Sequence, residues 1–379
     1  MRAGSHAGNR RHLTRRAATA LIASAVFAYP HALPAARAAE PRKRPKIPSR
    51  GFNLPDWVDR TPGYPPARAV LEKLYRLGFR SVRLPVSADT ISGVAAADRT
   101  AMLGRIEAAV RELLAIGYAV IIDLHPGRAF GRLLRTDIAA ASERAAETWT
   151  RLAETIAGLP EGALYTELLN EPPLEQAAWL EMRDRLAEIV RAGCAHTIVW
   201  GPARFQGIWE LAGTPPLADR NSVVAVHYYS PMAFTHQCEN WNNSPLGRLK
   251  NLPFPATRDT PAVTKLADEL NKAGDERALT MLDDAFKQPW TDADIAADFA
   301  RVAEWSRKND CPAILDEFGV LDFCADAASR ANWIGAVRKA AEANGIGWTY
   351  WSLDHGFGFI RDRTSTEGFD RPVIEALLG

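Results

Sequence analysis

The strongest constraint on the fold is a regular alternation of short apolar runs with amphipathic stretches from residue 50 to the C-terminus. The apolar runs are mostly continuous, a pattern typical of parallel strands that are covered on both faces. The stretches between them repeat apolar residues at helical spacing, as at Ile106, Val110 and Leu113. We predict an α/β fold in which residues 50–379 form a single (β/α)8 TIM barrel. The predicted strands are Phe52–Leu54, Ser81–Leu84, Ala119–Leu124, Leu164–Leu169, Thr197–Trp200, Val223–Val226, Ala313–Leu315 and Gly347–Trp351.

The connection after the sixth strand is unusually long. It runs from Ser230 to Pro289 and contains helix-like stretches at 262–273 and 279–286. Loops that follow the strands build the active face of a barrel, so we expect this long insertion to wall the site. A doubly wound sheet is the alternative fold, but no glycine-rich phosphate turn follows the first strand.

Residues 1–38 have the layout of a secretory signal peptide. Arginines at 10, 11, 15 and 16 precede an apolar run over 17–28, and an Ala-Arg-Ala tripeptide ending at residue 38 resembles a cleavage site. The arginine pairs resemble a twin-arginine signal, so that route and the general one both stay open, with an uncleaved basic tail as the alternative. Residues 39–49 are rich in Pro, Lys and Arg and predict a linker. We therefore predict an exported protein, periplasmic or extracellular.

The charge distribution argues against nucleic acid as a partner. The formal net charge is +1, but residues 1–38 hold six arginines and no acidic residue, which leaves −5 for the remainder. A mildly acidic protein is poorly suited to contact phosphates. No membrane role beyond export is predicted.

Polar side chains gather at the carboxyl ends of six predicted strands. Any one of them alone would be interpreted as structural, but strand ends of a barrel converge on one mouth, so together they predict an active site. The residues are Arg83, Asp123, His125, Asn170, Glu171, His227, Tyr229, Asp316, Glu317 and Trp351.

Two glutamates suggest the chemistry. Glu171 and Glu317 end the fourth and seventh strands, which lie on opposite sides of an eight-stranded barrel. Opposed carboxyl groups are the apparatus of glycoside hydrolysis: one protonates the leaving oxygen, and the other attacks the anomeric carbon or activates water. The proton donor needs a raised pKa, while Arg83 can hold Glu317 ionised. A separation of about 5–5.5 Å would indicate retention of configuration, and about 9 Å inversion.

The motifs that carry these residues resemble glycoside hydrolase family 5, the cellulase-like family of retaining barrel glycosidases. They occur in the family's order from residue 50 onward, and each falls on a predicted strand. The motifs are RGFNLP at 50–55, SVRLPV at 81–86, IDLHPG at 122–127, LNEP at 169–172, HYYSP at 227–231, DEFG at 316–319 and WTYWS at 348–352.

The resemblance implies a retaining double displacement. Glu171 would be the general acid/base and Glu317 the nucleophile, oriented by Tyr229 and Arg83. Asn170 would bind the sugar 2-hydroxyl in the transition state.

The resemblance also implies a sugar site at the cleavage point. His125 and His227 would bind this sugar, with His227 near the acid/base, and Trp351 would form the floor beneath it. Further candidates lie in loops that follow strands, and core or loop packing is the alternative for them. These candidate cleft residues are Phe234, His236, Gln237, Trp241, Trp290, His355 and Trp209.

Two further acids are given structural roles. Strand alternation is expected to point Asp316 away from Glu317 and into a structural hydrogen bond. Glu167 lies within the fourth strand and is interpreted as structural.

The four cysteines suit an oxidising compartment, and their spacing matches no zinc pattern. Cys238 and Cys324 follow neighbouring strands on the active face, so we predict a disulfide between them. Cys194 and Cys311 lie at the opposite end of the barrel, and their pairing stays open.

The leading hypothesis is a secreted β-glucan hydrolase that acts on a polysaccharide or oligosaccharide without a cofactor or metal. A transglycosylase, or an exo-acting glucosidase on a bacterial exopolysaccharide, would use the same residues. A metal-dependent hydrolase would need His125, His227, Asp123 or His236 as ligands, but no HxH or HExxH pair occurs. A non-catalytic glycan-binding accessory protein would need neither carboxylate.

Overall fold

The computed structural model describes residues 44–379 apart from Asn242. The predicted signal peptide over 1–38 lies outside these residues and stays a prediction. The described end of the predicted linker packs on the barrel, because the Tyr165 hydroxyl donates to the Lys46 carbonyl at 3.0 Å and Ile47 contacts the barrel interior. Pro48 is buried as well. The linker predicted over 39–49 therefore does not reach residue 49, since residues 46–48 already belong to the folded domain.

Parallel strands close into a barrel in the order in which they occur along the chain, with the first paired to the last. This confirms the predicted (β/α)8 TIM barrel. It excludes the doubly wound sheet, whose edges would be open. The strands are β1 (Gly51–Asn53), β2 (Ser81–Ser87), β3 (Ala119–His125), β4 (Leu164–Glu167), β5 (Thr197–Trp200), β6 (Ser222–Tyr228), β7 (Ala313–Phe318) and β8 (Gly347–Tyr350).

Helices occupy the connections between the strands. Gly78 and Gly117 end the first two helices with φ of 124° and 113°, values that a side chain would disfavour. Among residues 44–379, no helix is long and apolar enough to cross a membrane. The helices are α1 (Arg68–Leu77), α2 (Ala96–Ile116), α3 (Arg128–Thr136), α4 (Ile138–Ile156), α5 (Gln176–Gly193), α6 (Ile208–Leu211), α7 (Met232–Thr235), α8 (Pro261–Ala273), α9 (Glu276–Ala285), α10 (Asp292–Asn309), α11 (Ala327–Ala343) and α12 (Arg371–Leu378).

The apolar core has two layers. The outer layer lies between strands and helices and contains the helix tryptophans Trp149, Trp179, Trp305 and Trp333. The inner layer fills the barrel with Ile121, Tyr165, Val199, Val223, Ala225 and Ile314. Because apolar side chains fill the lower interior, polar groups can gather only toward the mouth.

A bulge interrupts the pairing of β6 with β7. Val226 pairs with Leu315, but the next residue, His227, pairs with Glu317. Asp316 is therefore an extra residue in β7 without a partner in β6. The expected alternation is broken here, and Asp316 faces the barrel interior next to His227 instead of pointing away from the site.

The connection between β6 and α10 contains α7, α8, α9 and a short 3₁₀ helix at Pro245–Arg248. The two longer helices lie close to the stretches predicted at 262–273 and 279–286. A disulfide joins Cys238 of this connection to Cys324 in the segment after β7, with Cα atoms 5.9 Å apart. Cys194 and Cys311 are buried free thiols.

Candidate active site

A cavity of about 530 Å³ opens at the carboxyl ends of the strands. Most of the side chains that the motifs single out lie in its wall. The lining residues are His125, Asn170, Glu171, Arg204, Phe205, Gly207, Ile208, Trp209, His227, Tyr228, Tyr229, Ser230, Met232, His236, Trp241, Glu317, Trp351 and Phe357.

Glu317 is held from three sides at the end of β7. Arg83 donates to its Oε1 at 2.6 Å, and the Tyr229 hydroxyl donates to its Oε2 at 3.1 Å. His227 Nδ1 lies 3.5 Å from the same Oε2. Burial and the charge of Glu317 raise the pKa of Tyr229 well above its ordinary value, so the phenol stays a donor. These contacts fix the orientation of the Glu317 carboxyl group.

Arg83 is the centre of the buried polar network. It is fully buried and forms two hydrogen bonds with Glu167, at 2.7 and 2.8 Å. It also donates to Asn53 Oδ1 at 2.9 Å and to Asn170 Oδ1 at 2.8 Å. Glu167 therefore has the structural role predicted for it: it fixes the guanidinium that in turn holds Glu317.

Glu171 lies just beyond β4 in a left-handed conformation, with φ of 43°. His227 Nδ1 lies 2.9 Å from its Oε1. Burial raises the pKa of the Glu171 carboxyl, but the hydrogen bond and the charge of His227 outweigh burial and lower it overall. Burial lowers the pKa of His227, and the charges of Glu317 and Asp316 raise it well above its ordinary value. The two groups therefore share one proton as a coupled pair, a different arrangement from the raised carboxyl pKa predicted from the sequence.

The two glutamates face each other closely. One oxygen of Glu171, one oxygen of Glu317 and a nitrogen of His227 all lie within 4.8 Å of one another. Both carboxyl groups therefore open onto the same cavity, on either side of His227.

Asp316 is fully buried beneath this pair. One of its oxygens lies 3.2 Å from His227 Nε2, and another lies 3.7 Å from Arg83 Nε. Asp316 therefore has the polar partner expected of a structural acid, but this partner, His227, belongs to the site itself. Burial and the nearby charge of Glu167 raise the pKa of Asp316 to about 7.

Asp316→Asn should stabilise the protein in neutral and alkaline solution. The folded-state pKa of about 7 lies above the ordinary 3.8, so wild-type stability falls as the pH rises between these values. Asparagine never ionises and removes this loss. Urea unfolding at about pH 4, 6 and 8 should give the variant an advantage at pH 8 that vanishes near pH 4. Asp268→Asn, at an exposed position of α8, is the control; an advantage of Asp316→Asn that is the same at every pH would contradict the prediction.

Trp351 and His125 form the floor of the cavity. Their rings stack with centroids 5.7 Å apart and planes 15° from parallel. Asp123 fixes the His125 ring through a 2.8 Å contact to Nδ1. Asn170 Nδ2 lies 3.4 Å from His125 Nε2, at the edge of this floor. A flat apolar face bordered by polar groups suits a sugar ring, whose C–H face packs on aromatic rings while its hydroxyls are hydrogen-bonded.

The other predicted cleft residues divide into two groups. His236, Trp241 and Trp209 line the cavity, and burial lowers the pKa of His236 to about 4, which keeps that ring neutral. The structure does not bring the remaining four to the cavity.

Each of these four has another environment. Phe234 is buried against Phe254, and Gln237 is fully buried, where its amide bonds the backbone of Phe234 and Leu252. Trp290 is buried, and its indole donates to the Ala285 carbonyl. His355 is exposed and lies 3.2 Å from Asp56. Each residue follows a strand, as predicted, but packs within its loop or faces solvent.

The sequence interpretation missed the segment 204–206, which we call the left-handed strap. Arg204, Phe205 and Gln206 have φ of 50°, 68° and 56°, although none is glycine. Left-handed conformations cost roughly 1–2 kcal/mol each for such residues. Arg204 and Phe205 line the cavity. No short motif marks the strap, because its residues are ordinary ones in an uncommon conformation.

Two groups of side chains have the composition of a metal site: Glu167, His227 and Asp316 below, and Glu171, His227 and Glu317 at the cavity. In the upper group, both oxygens of Glu317 already accept hydrogen bonds, and the Arg83 guanidinium lies 2.6 Å away. A cation there would face that fixed positive charge. The arrangement suits proton transfer between His227 and Glu171 better than metal ligation.

Comparison with known families gives the affiliation. The model of the cellulase family (glycosyl hydrolase family 5) matches residues 42–356. The chain belongs to glycosyl hydrolase family 5. The resemblance seen in the sequence is thereby confirmed, and the affiliation classes this family 5 chain as an O-glycosyl hydrolase.

Curated relatives of this family 5 chain are endoglucanases. Endoglucanase 3 of Fibrobacter succinogenes is 26% identical over 355 residues, which cover 87% of this chain and 53% of that protein. The chain thus spans about half the length of that relative. Endoglucanase C of Acetivibrio thermocellus is 22% identical over 307 residues, which cover 75% of this chain and 83% of that protein.

Solved structures of similar fold include Cel5A of Thermotoga maritima in complex with cellobiose. It is 25% identical, with a TM-score of 0.72, over 88% of this chain and 98% of that one. A mannotriose complex of the same protein gives 25% identity and a TM-score of 0.71, with the same shares of the two chains covered. The cellulose synthase subunit Z of Clostridioides difficile is 25% identical with a TM-score of 0.68, over 88% and 99% of the chains.

Proposed function

We propose that this chain is an exported, retaining β-glycosidase that cleaves a β-glucan or a related polysaccharide by double displacement. The observation that carries the proposal is the placement of Glu171 and Glu317 across the cavity, with carboxyl oxygens within 4.8 Å of each other and a shared contact to His227. Family membership and the named endoglucanases support the same reaction class.

In the first step, the Glu317 carboxylate attacks the anomeric carbon of the sugar over Trp351. The bond from that carbon to the glycosidic oxygen breaks, and its electron pair leaves with the oxygen. Glu171 gives this oxygen a proton, so the leaving sugar departs as a neutral alcohol. The product is a glycosyl ester of Glu317.

In the second step, a water molecule takes the place of the departed sugar. Glu171 now accepts a proton from the water as its oxygen attacks the anomeric carbon, and the ester bond to Glu317 breaks. Two displacements on opposite faces restore the original configuration. Arg83 and Tyr229 stabilise Glu317 again as its charge returns.

His227 serves as the proton reservoir for Glu171. The Nδ1 contact of 2.9 Å lets the pair pass a proton without rearrangement. The negative charge of Glu317 keeps the proton on this pair before the reaction and disappears when the ester forms. The pair is therefore protonated before the first step, when Glu171 must act as an acid. Its affinity for the proton falls once the ester has formed, when Glu171 must act as a base.

The substrate class is proposed from the relatives. Those with curated names are endoglucanases, and the Thermotoga protein binds cellobiose and mannotriose in its solved complexes. The likeness to a cellulose synthase subunit favours cellulose made by the cell itself as a second candidate substrate. Export is proposed from the signal-peptide layout of residues 1–38 and fits the disulfide at Cys238.

The test is a panel of β-1,4-glucan, β-1,3-glucan, mixed-linkage glucan and β-mannan incubated with the purified protein. We expect cleavage of a β-1,4-linked polymer into a mixture of oligosaccharides, with β-anomers formed first in the proton NMR spectrum. α-Anomers would contradict retention, and release of a single small product from chain ends would indicate exo action. Longer products than the starting oligosaccharide would identify a transglycosylase. A folded protein that cleaves none of the panel would contradict the proposal.

A further inference from the structure

The left-handed strap contacts Glu171 on its buried side and lines the cavity on its exposed side. Its three residues adopt a conformation that non-glycine residues avoid, so the surrounding contacts must hold it in place. Backbone strain of this kind concentrates at functional sites. The contacts of the strap residues indicate which function this strain supports.

Gln206 is fully buried and contacts the catalytic groups from behind. Its side-chain oxygen accepts a 2.6 Å hydrogen bond from the backbone N–H of Glu171. Its amide lies 3.4 Å from an oxygen of Glu167, and its backbone carbonyl accepts from the N–H of His227 at 2.9 Å. Gln206 thus joins the acid/base, the histidine that shares its proton and the acid that fixes Arg83.

The absence of a side chain at Gly201 provides the space that Gln206 occupies. A Cβ atom on Gly201, at the end of β5, would lie 2.2 Å from Cγ of Gln206. Because Gly201 has none, the glutamine can reach under the site. The Phe205 N–H also donates to the Pro172 carbonyl at 3.3 Å, which ties the strap to the segment that follows Glu171.

The outer side of the strap faces the substrate. Phe205 is 58% exposed and lines the cavity together with Trp209. His125 ends β3 and Trp351 follows β8, whereas the strap follows β5. Glu171 follows β4 and therefore lies between the sugar floor and the strap. The sugar that leaves must therefore lie over the strap, since Glu171 protonates the oxygen between both sugars.

We propose that Gln206 is a positioning residue for proton donation by Glu171 and that Phe205, on the same strap, binds the leaving sugar. This inference rests on the proposed glycosidase function. Holding the Glu171 N–H fixes a residue whose backbone is itself left-handed, and this sets the direction in which its carboxyl points. A sugar bound on Phe205 presses on the segment that holds the acid, so leaving-group binding and acid catalysis are coupled.

The test compares two aryl β-cellobiosides that differ only in the leaving group. Dinitrophenolate leaves without a proton, whereas phenolate needs one, so only the phenyl substrate depends on general acid catalysis. Gln206→Met keeps the volume but removes the acceptor for the Glu171 N–H. We expect kcat/KM to fall roughly 100-fold for phenyl β-cellobioside and less than about threefold for 2,4-dinitrophenyl β-cellobioside. The alkaline limb of the pH profile for the phenyl substrate should move at the same time.

Further variants complete the test. Gln206→Glu, whose protonated carboxyl keeps both the acceptor and a donor, should restore most of the phenyl reaction. Phe205→Ala should raise KM about tenfold for cellotetraose and weaken the binding of both aryl substrates to the same extent, because their aryl groups also occupy the leaving-group position over Phe205. Gln176→Ala, which removes an amide that donates to the Gly213 carbonyl, is the matched control and should behave as wild type.

The outcomes separate the two levels of the proposal. Equal losses of Gln206→Met on both aryl substrates would mean that Gln206 has only a structural role and would overturn the inference, while wild-type cleavage keeps the glycosidase function. An unchanged phenyl reaction in Gln206→Met would also overturn it. A wild-type protein that cleaves neither substrate and no polymer would reject the proposed function, and this inference with it.

Discussion

Glu317→Gln is expected to abolish glycan cleavage. The amide keeps its one acceptor oxygen for Arg83 and turns its NH2 group to the Tyr229 hydroxyl, which can accept as well as donate, so the cavity should stay intact; but the amide has no charge with which to attack the anomeric carbon. Removal of the nucleophile in other enzymes costs on the order of 10⁶-fold in kcat, and a loss of this size is expected here. The measurement is the initial rate of reducing-end release from the polymer that wild type cleaves, with circular dichroism to verify folding.

Glu304→Gln provides the matched control, because this glutamate is exposed on α10.

The double-displacement mechanism also allows the roles of Glu171 and Glu317 to be distinguished with azide as an external nucleophile. With azide and a dinitrophenyl substrate, Glu317→Ala should yield an α-glycosyl azide by direct attack, and Glu171→Ala a β-glycosyl azide by way of the ester intermediate. The reverse pattern would exchange the roles assigned here.

Arg83→Met is expected to have the largest effect on stability. The guanidinium is fully buried and lies within 3.1 Å of oxygens from Asp123, Glu167 and Glu317. Among the residues that the structure describes, no other Lys or Arg forms an ion pair with these three carboxylates, so the variant leaves them with histidine contacts at most. Removing one partner of a buried ion pair costs about 3–5 kcal/mol, so we expect a loss of at least that size in the free energy of unfolding.

The destabilisation should shrink as the pH falls, because protonated carboxyls need no counter-charge. Urea unfolding at several pH values measures both effects. Arg363→Met is the control: this arginine is also buried but pairs with a single carboxylate, that of Asp354, away from the cavity lining. It should lose stability while the folded fraction keeps its activity. A stable Arg83→Met protein with wild-type activity would contradict this account of the site.

The sequence alone predicted the strands and the residues at their ends correctly, because a repeating pattern of residue types marks both. Continuous apolar runs located the strands, and polar residues at their ends located Arg83, His227 and Glu317 at one mouth. The predicted end of β4 at Leu169 was two residues too far, because the chain leaves regular strand geometry before it reaches Glu171. The chain leaves β4 after Glu167 and reaches a left-handed conformation at Glu171, which a pattern of apolar residues does not indicate.

The remaining errors come from contacts that no repeating pattern encodes. Gln237 and Trp290 follow β6 just as His236 and Trp241 do, but packing within the long connection decides which of them reach the cavity. Gln206 carries no signal in the sequence, since its role depends on a backbone conformation and on the space left by Gly201. Asp316 was misplaced because alternation assumes regular pairing.

The bulge at Asp316 increases the number of side chains that β7 places at the mouth of the barrel. A regular strand sends only every second side chain inward, so its end normally supplies one functional group at a given depth. With Asp316 left out of the pairing, β7 supplies two consecutive carboxyl groups, one buried near Glu167 and one open to the cavity. The barrel thereby gains a second acidic group at its mouth without a longer strand, another loop or a further element.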